Sequence, residues 1–136
     1  MRNAIILCSG GLDSVVTSFY VKNKLNYRKI IILFFNYEQR NLKMERFFSK
    51  RCAFDIRARF VEIKVEELGK LSTSLLNSEE NAKNISRKDL KNTKKESDKW
   101  YVPCRNLIFL SYACAFAESE FVKTKRSSDI FVGFKN

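Results

Sequence analysis

The stretch Ser9-Gly10-Gly11-Leu12-Asp13-Ser14 follows directly on the apolar run Ala4-Ile5-Ile6-Leu7-Cys8. A buried, extended segment thus runs into a glycine-rich turn. From Asp13 to about Leu25 a helical pattern follows, with Val15, Val16 and Phe19 at helical spacing. A strand–loop–helix unit of this kind aims free backbone N–H groups and the positive end of a helix dipole at one spot, which suits phosphate oxygens. Gly10 and Gly11 can take positive φ and, lacking Cβ, admit a ligand close to the main chain. Asp13 and Ser14 can cap N–H groups, hold a hydrated metal ion or donate a hydroxyl to phosphate. The loop lacks the Lys-Ser/Thr pair of a Walker sequence and the third glycine of a dinucleotide fingerprint.

Outward from this loop, apolar runs and helical patterns alternate. Ile30–Phe35 is continuously apolar, as in a parallel strand covered on both faces. Glu38 to about Asp55 reads as a helix with Met44, Phe48 and Cys52 on its buried stripe. Phe60–Val65 reads as a third strand, with Val61, Ile63 and Val65 facing one way, and Glu66–Leu76 as a short helix. Residues 77–99 are polar and aperiodic and read as a disordered excursion or as a mobile flap over a ligand site. A helix from about Asn106 to Glu120, apolar or small on most faces, predicts deep burial, and Asp129–Phe134 predicts a fourth strand. Alternating strands and helices imply a single domain over residues 1–136, an α/β doubly wound parallel sheet. Ligands in such sheets bind beyond the carboxyl ends of the strands.

Composition narrows the chemistry. The 136 residues include no histidine, so catalysis must rest on carboxylates, Arg, Lys and phosphate binding. Cysteines stand at 8, 52, 104 and 114, without Cys-x-x-Cys spacing; Cys8, Cys52 and Cys114 read as core thiols, and no metal site is assigned. No apolar stretch approaches the roughly 20 residues of a membrane span, and no signal peptide is evident, so a cytoplasmic protein without membrane association is expected. Lys plus Arg number 26 against 15 Asp plus Glu, a net +11. That field suits ATP and also RNA, although the basic residues lack the interleaved aromatics of a stacking platform, and RNA is not the favoured partner. An exposed sheet edge would favour a homodimer.

The opening loop resembles the pyrophosphate (PP) loop of the ATP pyrophosphatase superfamily, the adenine nucleotide alpha hydrolase-like fold. Two further segments refine the resemblance: Tyr37-Glu38-Gln39-Arg40 after the second strand, and Val102-Pro103-Cys104-Arg105-Asn106 before the long helix. With Ser9–Ser14 they resemble the 7-cyano-7-deazaguanine synthase family, whose motifs read Tyr-Gly-Gln-Arg and Val-Pro-Gly-Arg-Asn. Glu38 and Cys104 stand where that family has glycine. Read as a helix start, Asn106 caps and Arg105 is presented at the N-terminus, where it can bind a carboxylate or phosphate through two parallel hydrogen bonds.

The resemblance implies a C–N ligase of queuosine biosynthesis. Using ATP and Mg2+, it would activate the carboxylate of 7-carboxy-7-deazaguanine as an acyl-adenylate. Ammonia would give the amide, and a second activation would dehydrate that amide to the nitrile. The nucleotide would be held by Cys8, Ser9, Gly10, Gly11, Leu12, Asp13, Ser14, Val15, Val16, Thr17 and Ser18. Arg40 and Arg105 would neutralise charge near the α-phosphate or substrate carboxylate, with Asn106 orienting one of these groups. Family members are usually longer, and their C-terminal portion supplies zinc-binding cysteines and deazapurine recognition. The fold is therefore expected to be incomplete at its C-terminus, and zinc, expected for the full-length family, lacks those ligands. The alternatives are a PP-loop adenylating enzyme acting on tRNA, of lysidine or thiolation type, and an inactive nucleotide-binding remnant.

Overall fold

The computed structural model describes residues 2–71 and 104–133. Their order is β1 (Asn3–Leu7), α1 (Leu12–Asn23), β2 (Ile30–Asn36), α2 (Leu42–Asp55), β3 (Arg59–Lys64), α3 (Glu66–Leu71), α4 (Arg105–Thr124) and β4 (Ser128–Val132). The strands form one sheet in the order β3-β2-β1-β4, and every pairing is parallel. Ile5 is level with Ile31 on one side and Ile130 on the other. The flap expected over 77–99, and Val102-Pro103 of the third motif, lie outside the described residues.

Continuous apolar sequence makes β1 and β2 the buried centre, and every residue of both is buried. One face of the sheet packs Ile5, Leu7, Leu33 and Phe35 against Leu68 of α3 and Ala113 of α4. The other packs Ala4, Ile6, Cys8 and Ile32 against Val21 of α1 and Cys52, Ala53 and Ile56 of α2. Helices on both faces make the sheet doubly wound, as expected. Val61, Ile63 and Val65 do share one face. After β3 the chain returns to the far side of β1, so the strand order reverses between β1 and β4, the place where such sheets open a crevice.

α2 sits in a different rotation from the one read in the sequence, with Cys52 the one residue of the expected stripe that is buried. α1 buries Ser14, Ser18 and Val21 and leaves Val16 and Phe19 exposed. α2 buries Ser49, Cys52 and Ala53 and leaves Met44 and Phe48 exposed. The reason is close approach. Both helices crowd the end of β1, where small hydroxyl residues fit and satisfy their own polarity: Ser18 donates to the Ser14 carbonyl at 2.7 Å, Ser49 to the Cys8 carbonyl at 2.8 Å.

α2 begins at Leu42, not Glu38. Side chains of Asn36 and Gln39 capture the intervening backbone: Asn36 Oδ1 accepts the Glu38 N–H and Gln39 Oε1 the Tyr37 N–H, holding a turn in place of a helix. α4 is not deeply buried. It lays Ile108, Phe109 and Phe116 on the sheet, while Leu107, Tyr112, Phe121 and Val122 face outward. Cys114 lies on that outer side, exposed, and is no core thiol. Among the described residues, no helix is long and apolar enough to cross a membrane.

Candidate functional site

A cleft of about 330 Å³ opens at the carboxyl ends of β1, β2 and β4. The loop after β1 forms one wall, from Cys8 to Ser14. Tyr37 and Gln39 after β2, Glu45 of α2, and Arg105, Asn106 and Phe109 of α4 form the other, with Val132 and Gly133 at the end of β4.

Backbone geometry shapes the loop. β1 stays paired as far as the Cys8 N–H, which donates to the Leu33 carbonyl at 3.0 Å. Gly10 then takes φ +82, and a Cβ there would lie 2.7 Å from the Glu45 carbonyl oxygen and 2.9 Å from Phe48 Cβ. Only glycine meets both demands. Gly11 does not adopt positive φ; it is extended, at φ −74 and ψ 165, and serves as the N-cap of α1. Its carbonyl accepts the Val15 N–H and the Ser14 hydroxyl, each at 3.0 Å. Among the described residues no side-chain cap is made to the helix start, whose residues Gly11–Ser14 line the cleft. That arrangement favours an anion. Gly133 closes the floor, since a Cβ on it would fall 2.5 Å from Thr17 Oγ1 and 2.6 Å from the Asp13 carbonyl oxygen.

The opposite wall carries a polar cluster. Gln39 donates to Glu45 Oε2 at 2.8 Å and to the Phe35 carbonyl at 3.0 Å. Burial pushes the Glu45 carboxyl up, against the opposing pull of Gln39 and the Arg105 cation. Burial, with the Glu45 charge, likewise pushes up the Tyr37 phenol, and Arg105, within hydrogen-bonding reach of it, draws it back. Arg105 thus balances a carboxylate and a phenol at the edge of the cleft. Behind them Phe35 and Phe109 stack at 4.2 Å. On the loop side, Cys8 donates to Ser14 Oγ at 3.6 Å. Chiefly the neighbouring Cys52 thiol, against the effect of burial, holds the Cys8 thiol down to about 6, while Cys52 itself is pushed up.

The residues singled out in the sequence divide. Cys8, Ser9, Gly11, Leu12, Asp13, Ser14, Arg105 and Asn106 line the cleft. Gly10 supports the loop from behind. Val15, Val16, Thr17 and Ser18 are not among the lining residues, and Ser18 is fully buried beneath the helix. Arg40 is exposed and is likewise not a lining residue. Asn106 does not cap α4; Cys104 holds the N-cap position at φ 48, and Asn106 is the second residue of the helix. Glu45 escaped notice because nothing in its local sequence marks it. Tyr37 and Gln39 stood in the second motif without a role of their own.

Mg2+ commonly takes one or two carboxylates together with phosphate oxygens, and Asp13 beside the loop suits that pattern. Zinc finds no donor set: the described residues contain no group of three or more His, Cys, Asp or Glu able to hold a metal ion.

A family model described as queuosine biosynthesis protein QueC matches residues 3–136. Among curated proteins, the chain is 31% identical over 133 residues to a 7-cyano-7-deazaguanine synthase of Thermoplasma volcanium, covering 97% of this chain and 50% of that protein. It is 36% identical over 117 residues to the Methanococcus maripaludis protein of the same name, covering 85% and 49%. The chain spans about half the length of the curated relatives it matches.

Proposed function

Since the chain belongs to the QueC family of queuosine biosynthesis proteins, we propose that its cleft is the nucleotide-activating site of a 7-cyano-7-deazaguanine synthase. The supporting observation is that the uncapped start of α1 and the Arg105–Tyr37–Glu45 cluster line one cavity. A polyphosphate on the first wall brings its α-phosphorus toward a carboxylate held at the second.

On this reading, N–H groups at the start of α1, with Ser9 and Ser14, bind the phosphates. Asp13 would hold Mg2+, which would supply charge neutralisation to the phosphates. The carboxylate of 7-carboxy-7-deazaguanine attacks the α-phosphorus, forming the acyl-adenylate and releasing pyrophosphate. Ammonia attacks the acyl carbon and AMP leaves, giving the amide. The amide oxygen then attacks the α-phosphorus of a second ATP, releasing a second pyrophosphate, and loss of AMP from carbon and of two protons from nitrogen yields the nitrile. Arg105 stabilises charge on the carboxylate or the developing phosphorane, a role in which preorganised donors are worth most. Asn106 orients one of these groups. Arg40, at the surface, would act only after movement of its turn toward ligand.

The test has two readouts on the purified chain. ATP or pyrophosphate binding with Mg2+ is expected, and Arg105→Ala should reduce AMP release in the presence of 7-carboxy-7-deazaguanine and ammonium. Failure to bind either ATP or pyrophosphate refutes the phosphate assignment. Binding without AMP or nitrile leaves the nucleotide site standing and removes the synthase reading for this chain.

A further inference from the structure

The charge of the described residues is distributed unevenly along the strand direction. In a parallel sheet, every residue preceding a strand lies at one end, and the helices return there. Arg2 precedes β1, Arg28 and Lys29 precede β2, and Lys125 and Arg126 precede β4. Arg57 precedes β3 and Arg59 is its first residue, while Lys22, Lys24 and Lys123 stand in or just beyond the last turns of α1 and α4. Ten basic residues thus meet three acidic ones, Asp55, Glu120 and Asp129. Elsewhere in the described residues, eight basic residues face seven acidic ones. Nearly the whole excess positive charge of the described residues is therefore at the amino end of the sheet, away from the cleft.

The three carboxylates there are already engaged. Asp129 pairs with Arg2 and accepts the Tyr27 hydroxyl, Glu120 pairs with Arg59 and Lys123, and Asp55 pairs with Arg51. Lys22, Lys24, Arg28, Lys29, Arg57, Lys125 and Arg126 have no ion pair among the described residues. Adjacent strands are about 4.8 Å apart. Taken in sheet order, β3 to β4, these groups form a cationic row crossing the whole sheet end. A groove of about 440 Å³, with Lys29, Arg59 and Arg126 on its rim, lies within the row.

We infer that this end of the sheet binds the phosphodiester backbone of RNA, as a second surface remote from the nucleotide cleft. A row of cations over several strands, without ion pairs among the described residues, suits an extended polyanion better than a compact one, because each phosphate meets its own partner. Aromatic stacking is not required: contacts of this kind bind without reading sequence. Among the described residues, Tyr27 near the row has its hydroxyl committed to Asp129 and its ring packed edge-on against Phe131. The surface therefore grips the backbone and leaves the bases unread.

The test is fluorescence anisotropy of the full chain with a labelled single-stranded RNA across a potassium chloride series. The triple variant Lys29→Glu/Arg57→Glu/Arg126→Glu is compared with Lys43→Glu/Lys64→Glu/Lys70→Glu, which makes the same charge change at the other end. The amino-end triple should weaken binding at least about tenfold and flatten the log–log salt slope by about 2, as loss of three phosphate contacts predicts. The control triple should leave the slope unchanged. Equal losses in both triples, or competition by polyglutamate as effective as by unlabelled RNA, overturns the assignment. So does absence of RNA binding by the unaltered chain. If the reversed variant does not fold, acylation footprinting of the unaltered protein decides: RNA should shield Lys22, Lys24, Lys29 and Lys125 and spare Lys43 and Lys64. The reverse pattern sinks the proposal.

Discussion

Glu38 and Cys104 share a backbone conformation, φ 58 and φ 48, in the left-handed region that side chains with a Cβ resist. Both occupy positions where the related family motifs carry glycine. One turns the chain out of β2 toward α2, and the other starts α4, so each shapes a wall of the cleft. Left-handed geometry costs an ordinary residue about 1–2 kcal/mol, partly offset by the greater unfolded-state entropy of glycine. Glu38→Gly and Cys104→Gly should each stabilise the fold by about 0.5–1 kcal/mol, read as a raised urea midpoint with unchanged slope. A lowered midpoint would mean that the native side chains make compensating contacts.

The loop glycines should differ sharply. Gly10→Ala combines positive φ with contacts of 2.7 and 2.9 Å and should cost more than about 2 kcal/mol and abolish pyrophosphate binding. Gly11→Ala, whose new Cβ meets only Ser9 Oγ at 3.4 Å, should cost under about 1 kcal/mol. Thermal unfolding and pyrophosphate titration of the two variants check this. Equal effects would contradict the geometry.

Glu45 and Glu62 should titrate stability in opposite directions. The Glu45 carboxyl is raised by burial, so its folded form prefers to be protonated; the benefit is full below its unfolded pKa and disappears as pH rises through the folded value. The Arg46 guanidinium beside Glu62 lowers that carboxyl, giving stability present above the unfolded pKa and lost as pH falls through the folded one. Relative to Glu45→Gln, the parent should lose stability as pH rises above the ordinary carboxylate value of about 4. Relative to Glu62→Gln it should lose stability on acidification below about pH 5. Melting temperatures across pH 3–8 test both signs.

Arg105 is expected to act electrostatically on its own wall before any ligand arrives. Removing it as Arg105→Gln should push the Tyr37 phenol and the Glu45 carboxyl further up, seen by phenolate absorbance and by carboxyl NMR titration. In the proposed reaction the same variant should lower AMP formation about 100-fold or more, the scale of losing one oriented donor. Unmoved titrations would show that Arg105 points elsewhere in solution.

Thiol accessibility offers a direct check of helix rotation. Cys104 and Cys114 are exposed, Cys8 and Cys52 buried. Two thiols should react rapidly with an aromatic disulfide reagent under native conditions and two only on unfolding. Slow reaction at Cys114 would restore the deeply buried α4 expected from its composition.

The parallel strands, the doubly wound layers and the glycine-rich turn after β1 were legible because they rest on local signals: continuous apolar runs and a fixed glycine spacing. What failed was the phase of α2 and the depth of burial of α4. Ser14, Ser18 and Ser49 are polar by composition yet buried by close helix–sheet approach, a tertiary constraint with no local signature. Glu45 joined the cleft for the same reason, since its place depends on how α2 leans over Gly10. Asn106 misled because αL geometry at Cys104 lets the helix start two residues earlier than an Asn106 cap would predict.

β1 and β2 are enclosed on both faces, whereas β3 and β4 are only partly covered. Amide hydrogen exchange should therefore be slowest in the two central strands and quicken toward both margins. The loop from Cys8 to Ser14 hangs from the slower-exchanging interior, so its glycine-shaped form should persist through openings that unravel either margin of the sheet.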